Sequence, residues 1–163
     1  MEPEMQNKTL PLETQTGVFR CACLSDVRPI VEMVGELAAH HGDEATLTSE
    51  GLIRDAFGPA PWLHVLVAEV GGELVGYAVL CGLTQLHFGR RGLDMHHLFT
   101  KAPSRGRGIG QSLVEACKIR AKELSCDYMT VSTHPDNTKA QDFYLSAGFE
   151  RRTSGAPRFA IRL

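Results

Sequence analysis

No apolar run in this 163-residue chain approaches the roughly 20 residues that a membrane span requires. The N-terminus also lacks a basic stretch followed by an apolar one, so no secretory signal is expected. The cysteines, Cys21, Cys23, Cys81, Cys117 and Cys126, are odd in number, have no Cys-x-x-Cys spacing and sit in apolar runs. That pattern reads as reduced, buried thiols in a cytoplasmic protein. Neither His-x-x-x-His nor a Cys/His cluster occurs. The adjacent pairs His40-His41 and His96-His97 are no natural chelates, because neighbours on a strand face opposite sides, so no metal is expected. A net charge of −2 and a pI near 6.4 give no reason to expect nucleic acid or an anionic membrane as the main partner. No repeat or low-complexity segment is visible, and the pattern leaves a homodimer open.

What is present fits one globular domain, long enough to bury a real core. Residues 1–16 are polar, carry Pro3 and Pro11, and read as a loose arm ahead of a domain over 17–163. Residues 18–23 read as a strand, and Ser25 or Asp26 caps a helix running to about His41. Thr48 or Ser49 starts a second helix that stops before Gly58-Pro59. Residues 62–70 and 73–83 form a hairpin around Gly71-Gly72. A strand over 93–100, a helix over 111–124 and a strand over 128–133 follow. Asn137 caps a short helix ending near Gly148, and one or two closing strands are expected beyond it, with residues 158–163 alternating clearly.

The most informative segment lies between the 93–100 strand and the following helix, where residues 105–110 read Arg-Gly-Arg-Gly-Ile-Gly. Strand, glycine-rich turn and helix is how a chain aims unpaired backbone N–H groups at a phosphate. Glycine at 106, 108 and 110 removes side chains that would block a close approach and permits unusual backbone angles. A nucleotide P-loop is excluded, because no Gly-Lys pair occurs. The dinucleotide fingerprint needs Gly-x-Gly-x-x-Gly near the start of a βαβ unit, whereas here about a hundred residues precede a Gly-x-Gly-x-Gly spacing. A plain tight connection stays open on the glycines alone.

Arg105, Gly108 and Gly110 also satisfy Gln/Arg-x-x-Gly-x-Gly/Ala. About thirty residues on, Asn137, Ala140, Phe143-Tyr144 and Gly148-Phe149 follow a strand-like run. Together these two segments resemble the pyrophosphate loop and the fourth conserved segment of the GNAT family of N-acetyltransferases, nearest in pattern to its small-amine and diamine members. The resemblance covers roughly residue 20 to the C-terminus and is specific over 93–149. It implies an α/β fold, a single GNAT domain with a mixed, twisted central sheet and helices on both faces, and acetyl-CoA as co-substrate.

By that resemblance the pyrophosphate meets Gly106, Arg107, Gly108, Ile109, Gly110 and Gln111 at the positive end of the long helix, with Arg105 and Arg107 adding charge. The pantetheine arm pairs like an extra strand with the main chain of Leu98, Phe99 and Thr100, and Asn137 bonds its side. Tyr144 matches the tyrosine that protonates the leaving thiolate. The nucleophilic amine must also lose a proton, since at pH 7.4 only about one part in a thousand of a lysine-like amine is free base. Counting back from Arg105 puts His96 and Asp94 where different family members carry a glutamate base. Being two apart, both should lie on one face of the strand, with His97 pointing the other way in a structural role. A route through an acetyl-cysteine is disfavoured, because no cysteine lies in either segment, so direct attack in a ternary complex is expected.

The acceptor groove should be framed by the first two helices and the strand before the loop, with Glu36, His40, His41, Asp43, Glu44 and Asp94 as lining candidates. That acidic rim favours a cationic small amine as the partner. A protein or peptide N-acetyltransferase and a non-catalytic acyl-CoA-binding sensor are the alternatives. Tyr144 argues against the sensor, which needs no acid at a thioester.

Overall fold

Polar residues open the described chain, yet Leu12–Thr14 form a strand, β1, inside the stretch expected to be a loose arm. They pair antiparallel with β2, Gly17–Cys21, through backbone groups that carry no sequence signature. The protein is described here by a computed structural model giving residues 8–152, 155 and 157–163.

Helix α1, Val27–His40, buries Val27, Ile30 and Met33, a three-residue spacing that sets one face on the sheet. Pro29 sits in its first turn, where the missing N–H has no intrahelical partner to lose. Asp26 anchors the helix start. Its Oδ2 accepts from the Cys23 N–H at 2.8 Å, and the Arg20 guanidinium forks onto both carboxylate oxygens at 2.7 and 3.1 Å. Burial alone would push this carboxyl up, but Arg20 and the Cys23 N–H hold it below the usual carboxylate range. The helix ends at Gly42, whose left-handed φ of 77° releases the chain into the segment leading to α2. Thr48 Oγ1 caps α2, Ser49–Leu52, by accepting from the Gly51 N–H, and a turn of π-helix, Ile53–Phe57, extends it to Gly58.

Strands β3, Leu63–Val70, and β4, Glu73–Gln85, form the expected hairpin over Gly71 and Gly72, both at positive φ. β4 then pairs antiparallel with β5, Arg90–Thr100, and β5 pairs parallel with β6, Tyr128–Val131. The sheet order is β1-β2-β3-β4-β5-β6, mixed as expected. Val65, Val67, Tyr77, Val79 and Phe99 face α1 and α2 in one core cluster. Gly76, on the alternate face of β4, approaches Leu113 of α3, Ile109–Glu123, so helices cover both faces.

The chain divides into one compact unit reaching Ser132 and a second, Thr133–Leu163. The second unit carries α4, Thr138–Ser146. The closing strands expected after Gly148 are not formed: among the described residues no strand follows β6. Phe159, Ile161 and Leu163 of the alternating tail are exposed. All five cysteines are free, but only Cys117 is buried; Cys21 and Cys23 are exposed, which corrects the expectation of uniformly buried thiols. Among the described residues no helix is long and apolar enough to cross a membrane.

Candidate active site

The glycine loop leaves β5 through a short 3₁₀ turn, Ala102–Ser104, and enters α3 at Gly108. Gly106 and Gly108 have left-handed φ angles of 76° and 81°, which an L-residue with a Cβ rarely adopts. A Cβ at either would meet no protein atom within 4 Å, so the backbone angle is what demands glycine there. Gly110 lies inside α3 and outside the set of positive-φ glycines, so the angle argument does not extend to it. Gly108 caps α3 without a side chain, and the Ser112 N–H reaches back to its carbonyl at 3.0 Å. The N–H groups ahead of Ser112 have no acceptor within the helix and point along its positive end. Arg105 and Arg107 are exposed. The Arg105 Nε donates to the Thr100 carbonyl at 2.9 Å and its guanidinium lies 5.8 Å from the centre of the Phe99 ring, tying the strand end to the loop.

Upstream, the parallel pairing of β5 with β6 ends at Met95 and Val131. From His96 to Thr100 the β6-side edge of β5 has no strand partner among the described residues, although β4 still pairs the other edge to Thr100. By the alternation of the antiparallel ladder, Leu98 and Thr100 turn their backbone groups to this open edge, where an extended ligand can pair, while Phe99 faces Tyr77 of β4. The Thr100 carbonyl already accepts from Arg105. An unpaired strand edge leading into a left-handed glycine loop and a helix N-terminus fits the amide arm and pyrophosphate of acetyl-CoA, which Leu98, Gly106, Gly108 and Ile109 would line.

On β5, Val79 pairs with His97 but Leu80 with Met95, so His96 is an extra, unpaired residue. This β-bulge breaks the two-residue alternation. Asp94, opposite Cys81, shares the face of Tyr77 and Val79, and so do His97 and Phe99 beyond the bulge. The expectation that His97 points away from Asp94 and His96 is corrected. The His96 and His97 rings stack, with centroids 4.5 Å apart and planes 15° off parallel, so both project to one side. This is the face covered by α1 and α2, and His41, just past α1, bears on His97 electrostatically. Burial first, then His96 and His41, push the His97 pKa down to about 4. Its Nδ1 lies 3.0 Å from the hydroxyl of the fully buried Tyr77, whose own pKa burial raises. Asp94 Oδ1 accepts from Thr130 Oγ1 at 2.6 Å. Glu36, His40, His41, Asp43 and Glu44 are exposed on or just after α1. A shallow cavity of about 310 Å³, lined by His64, Leu93 and Leu124, opens on the other sheet face and holds none of these groups.

The second unit places Asn137 and Tyr144 on α4. Asn137 Oδ1 accepts from the Ala140 N–H at 3.1 Å, so it caps the helix as its position suggested. Tyr144 is half-buried between edge-on contacts to Phe143 and Phe149, at 5.3 and 5.7 Å between centroids. Gly148, at φ 94°, ends the helix in the left-handed conformation.

Residues 32–149 match the profile of the acetyltransferase (GNAT) family. The chain belongs to that family. It is similar to thialysine N-epsilon-acetyltransferase of Sus scrofa, 29% identical over 141 residues, 80% of this chain and 82% of that protein. It also resembles an uncharacterized N-acetyltransferase of Archaeoglobus fulgidus, 34% identical over 93 residues, 56% of this chain and 63% of that one. A putative acetyltransferase from Agrobacterium tumefaciens superposes with a TM-score of 0.71 at 25% identity, over 89% of this chain and 99% of that one. An aminoglycoside acetyltransferase from a soil metagenome shares the fold at 17% identity, with a TM-score of 0.75 over 88% of this chain and 95% of its own. This GNAT protein is thus an acetyl-CoA-dependent N-acetyltransferase.

The unit reaching Ser132 gathers Asp94, His96, the open edge and the loop on one continuous segment, while Asn137 and Tyr144 share α4. Tyr77 was not singled out from sequence, and His97 was expected on the opposite face in a structural role. Only the bulge brings His97 to this face, and the strand's own residues do not announce it.

Proposed function

We propose that this GNAT enzyme acetylates a primary amine of a small cationic molecule by direct attack in a ternary complex. The observation that carries the reading is the juxtaposition on β5 of proton-accepting side chains at 94 and 96 with an open backbone edge that begins at the same place. Asp94 or His96 takes a proton from the substrate ammonium, and the freed nitrogen attacks the thioester carbonyl carbon. The C–N bond forms and the C–S bond breaks, with the sulfur keeping the electron pair. The nitrogen gives its second proton to water as the amide forms, and solvent returns a proton to Tyr144 after it protonates the sulfur. The reaction releases one proton overall, the one that Asp94 or His96 accepted. Histidine suits the acceptor role because its ordinary pKa of about 6.5 keeps it mostly unprotonated at neutral pH. Asp94, already an acceptor for Thr130, offers a fixed negative charge to an incoming ammonium. The acidic residues Glu36, Asp43 and Glu44 support a cationic acceptor, and so does the likeness to an enzyme named for thialysine.

Tyr144 supplies the proton for the departing thiolate. Transfer from a tyrosine near pKa 10 to a thiolate near 8.5 is uphill by roughly 2 kcal/mol. A hydrogen bond that strengthens as charge develops on sulfur offsets a deficit of that size. Tyr144→Phe should therefore leave acetyl-CoA affinity unchanged and lower kcat by about 10²–10⁴. The test is thiol release from acetyl-CoA across a panel of amines, with the background from the protein's own cysteines subtracted. Turnover with diamines or basic amino acids, lost in Tyr144→Phe, supports the reading. No release with any amine, or wild-type turnover by the variant, contradicts it.

A further inference from the structure

The imidazole of His97, on the same strand face as Asp94, takes no part in the proposed steps. It reaches this face only because His96 is extruded from the ladder, and it is held there from beneath. Among the described residues the Tyr77 hydroxyl has one hydrogen-bond partner, His97 Nδ1 at 3.0 Å. That bond can run in two directions. With Nδ1–H as donor, the phenol O–H of a side chain that is 0% exposed would have no acceptor. With the phenol as donor, both groups are satisfied. Burial raises the Tyr77 pKa, so the phenol keeps its proton to give. The groups around His97 agree: Tyr77 of β4 donates from below, while the His96 ring and His41 disfavour a positive charge on it. His97 is thus neutral, its proton is on Nε2, and the half-buried ring presents an N–H at its far edge. A group in that state has no lone pair to serve as base.

We infer that His97 Nε2–H, fixed in its tautomer by Tyr77, is a specificity-determining donor that selects amines carrying a hydrogen-bond-accepting oxygen, such as a carboxylate, over amines that carry only N–H groups. The inference rests on the acetyltransferase reading and refines its acceptor. Asp94 offers a negative charge to the ammonium, and His97 then addresses a different part of the same molecule. A diamine presents only donors, so docking one against His97 leaves two N–H groups facing each other and an unmade bond in a partly desolvated site. Tyr77 touches no substrate; it is a positioning residue.

The test compares L-lysine with 1,5-diaminopentane, which differs by the missing carboxylate, using the full chain, acetyl-CoA and thiol release. Wild type should favour lysine by at least about tenfold in kcat/KM, the scale of one satisfied polar contact in a half-exposed site. His97→Phe should reduce that preference to within about threefold by losing activity on lysine alone, and His97→Gln, which keeps an N–H donor, should restore part of it. Tyr77→Phe should fall between wild type and His97→Phe. Nitrogen-15 NMR of the wild-type protein, which needs no variant to fold, should show Nδ1 of His97 unprotonated and Nε2 protonated. A wild type that uses the diamine as well as lysine, equal losses on both substrates in His97→Phe, or a protonated Nδ1 would each overturn the inference while leaving the acetyltransferase reading intact. No thiol release with any amine would overturn both.

Discussion

The glycine loop and the β-bulge lie ten residues apart on one strand–loop–helix segment, and they do their work by opposite means. The loop acts through backbone: Gly106 and Gly108 hold left-handed angles, and the helix that follows offers N–H groups no side chain could replace. The bulge acts through side chains: one unpaired residue, His96, turns His97 onto the face of Asp94 and stacks two imidazoles. On the proposed reading, binding at one end and chemistry at the other can be damaged separately. The difference also governs how each was written in the sequence. A backbone conformation that only glycine tolerates leaves glycines behind, whereas a change of register leaves no residue type behind.

Separate damage is a measurable claim, and the largest effect belongs to the bulge. Replacing the true proton acceptor, by His96→Ala or Asp94→Asn, should lower kcat near neutrality by about 10²–10⁴. Activity should partly recover at high pH as the substrate amine deprotonates in bulk. If both variants keep the full rate–pH profile, the bulge does no proton chemistry and the comparison fails at that end. Next in size is the loop: Gly108→Val, at φ 81°, should weaken acetyl-CoA binding by about 10–100-fold in calorimetry while the fold survives.

A smaller effect follows from His97. Its pKa is low in the folded protein, at about 4, so between the ordinary histidine value of about 6.5 and 4 the unfolded chain binds more protons. Stability should fall as pH drops through that window and be complete above it. The ring is partly exposed, and after discounting for solvent screening the loss is about 1–2 kcal/mol. Denaturant titrations at pH 7.5 and 4.5 should show this loss in wild type and a smaller one in His97→Gln. An identical loss in both proteins would mean that His97 is not held neutral by the fold. Smallest is Gly110→Ala. Because Gly110 lies inside α3, the variant should keep acetyl-CoA affinity within about threefold and gain a little helix stability. A loss matching Gly108→Val would show that closeness to the ligand, rather than backbone angle, is what the loop glycines provide.

Much of this site was legible in the sequence. The loop, the Asn137 cap and the Gly71-Gly72 hairpin all rest on local chemistry, since glycine angles, cap oxygens and turn residues act within a few positions. The misreadings are all non-local. His97 was set on the face opposite Asp94 and His96 by counting in twos, but β4 decides where β5 bulges. Residues 158–163 alternate like a strand, yet alternation only offers a face to bury, and among the described residues no strand is formed there. Leu12–Thr14 err the other way: polar residues pair into the sheet because backbone groups, not side chains, make the ladder. Cys21 sits on β2 with an apolar neighbour at Phe19, but as the last residue of its strand it is exposed.

On the proposed reading, loop and bulge divide binding from chemistry. Calorimetric titration of acetyl-CoA into Gly108→Val and into His96→Ala, with kcat for the preferred amine measured on the same preparations, tests it directly. The expected result is crossed: affinity lost in Gly108→Val with turnover at saturating acetyl-CoA largely kept, and affinity intact in His96→Ala with turnover lost. If His96→Ala weakens acetyl-CoA as much as Gly108→Val does, or Gly108→Val binds it like the wild type, the division does not exist.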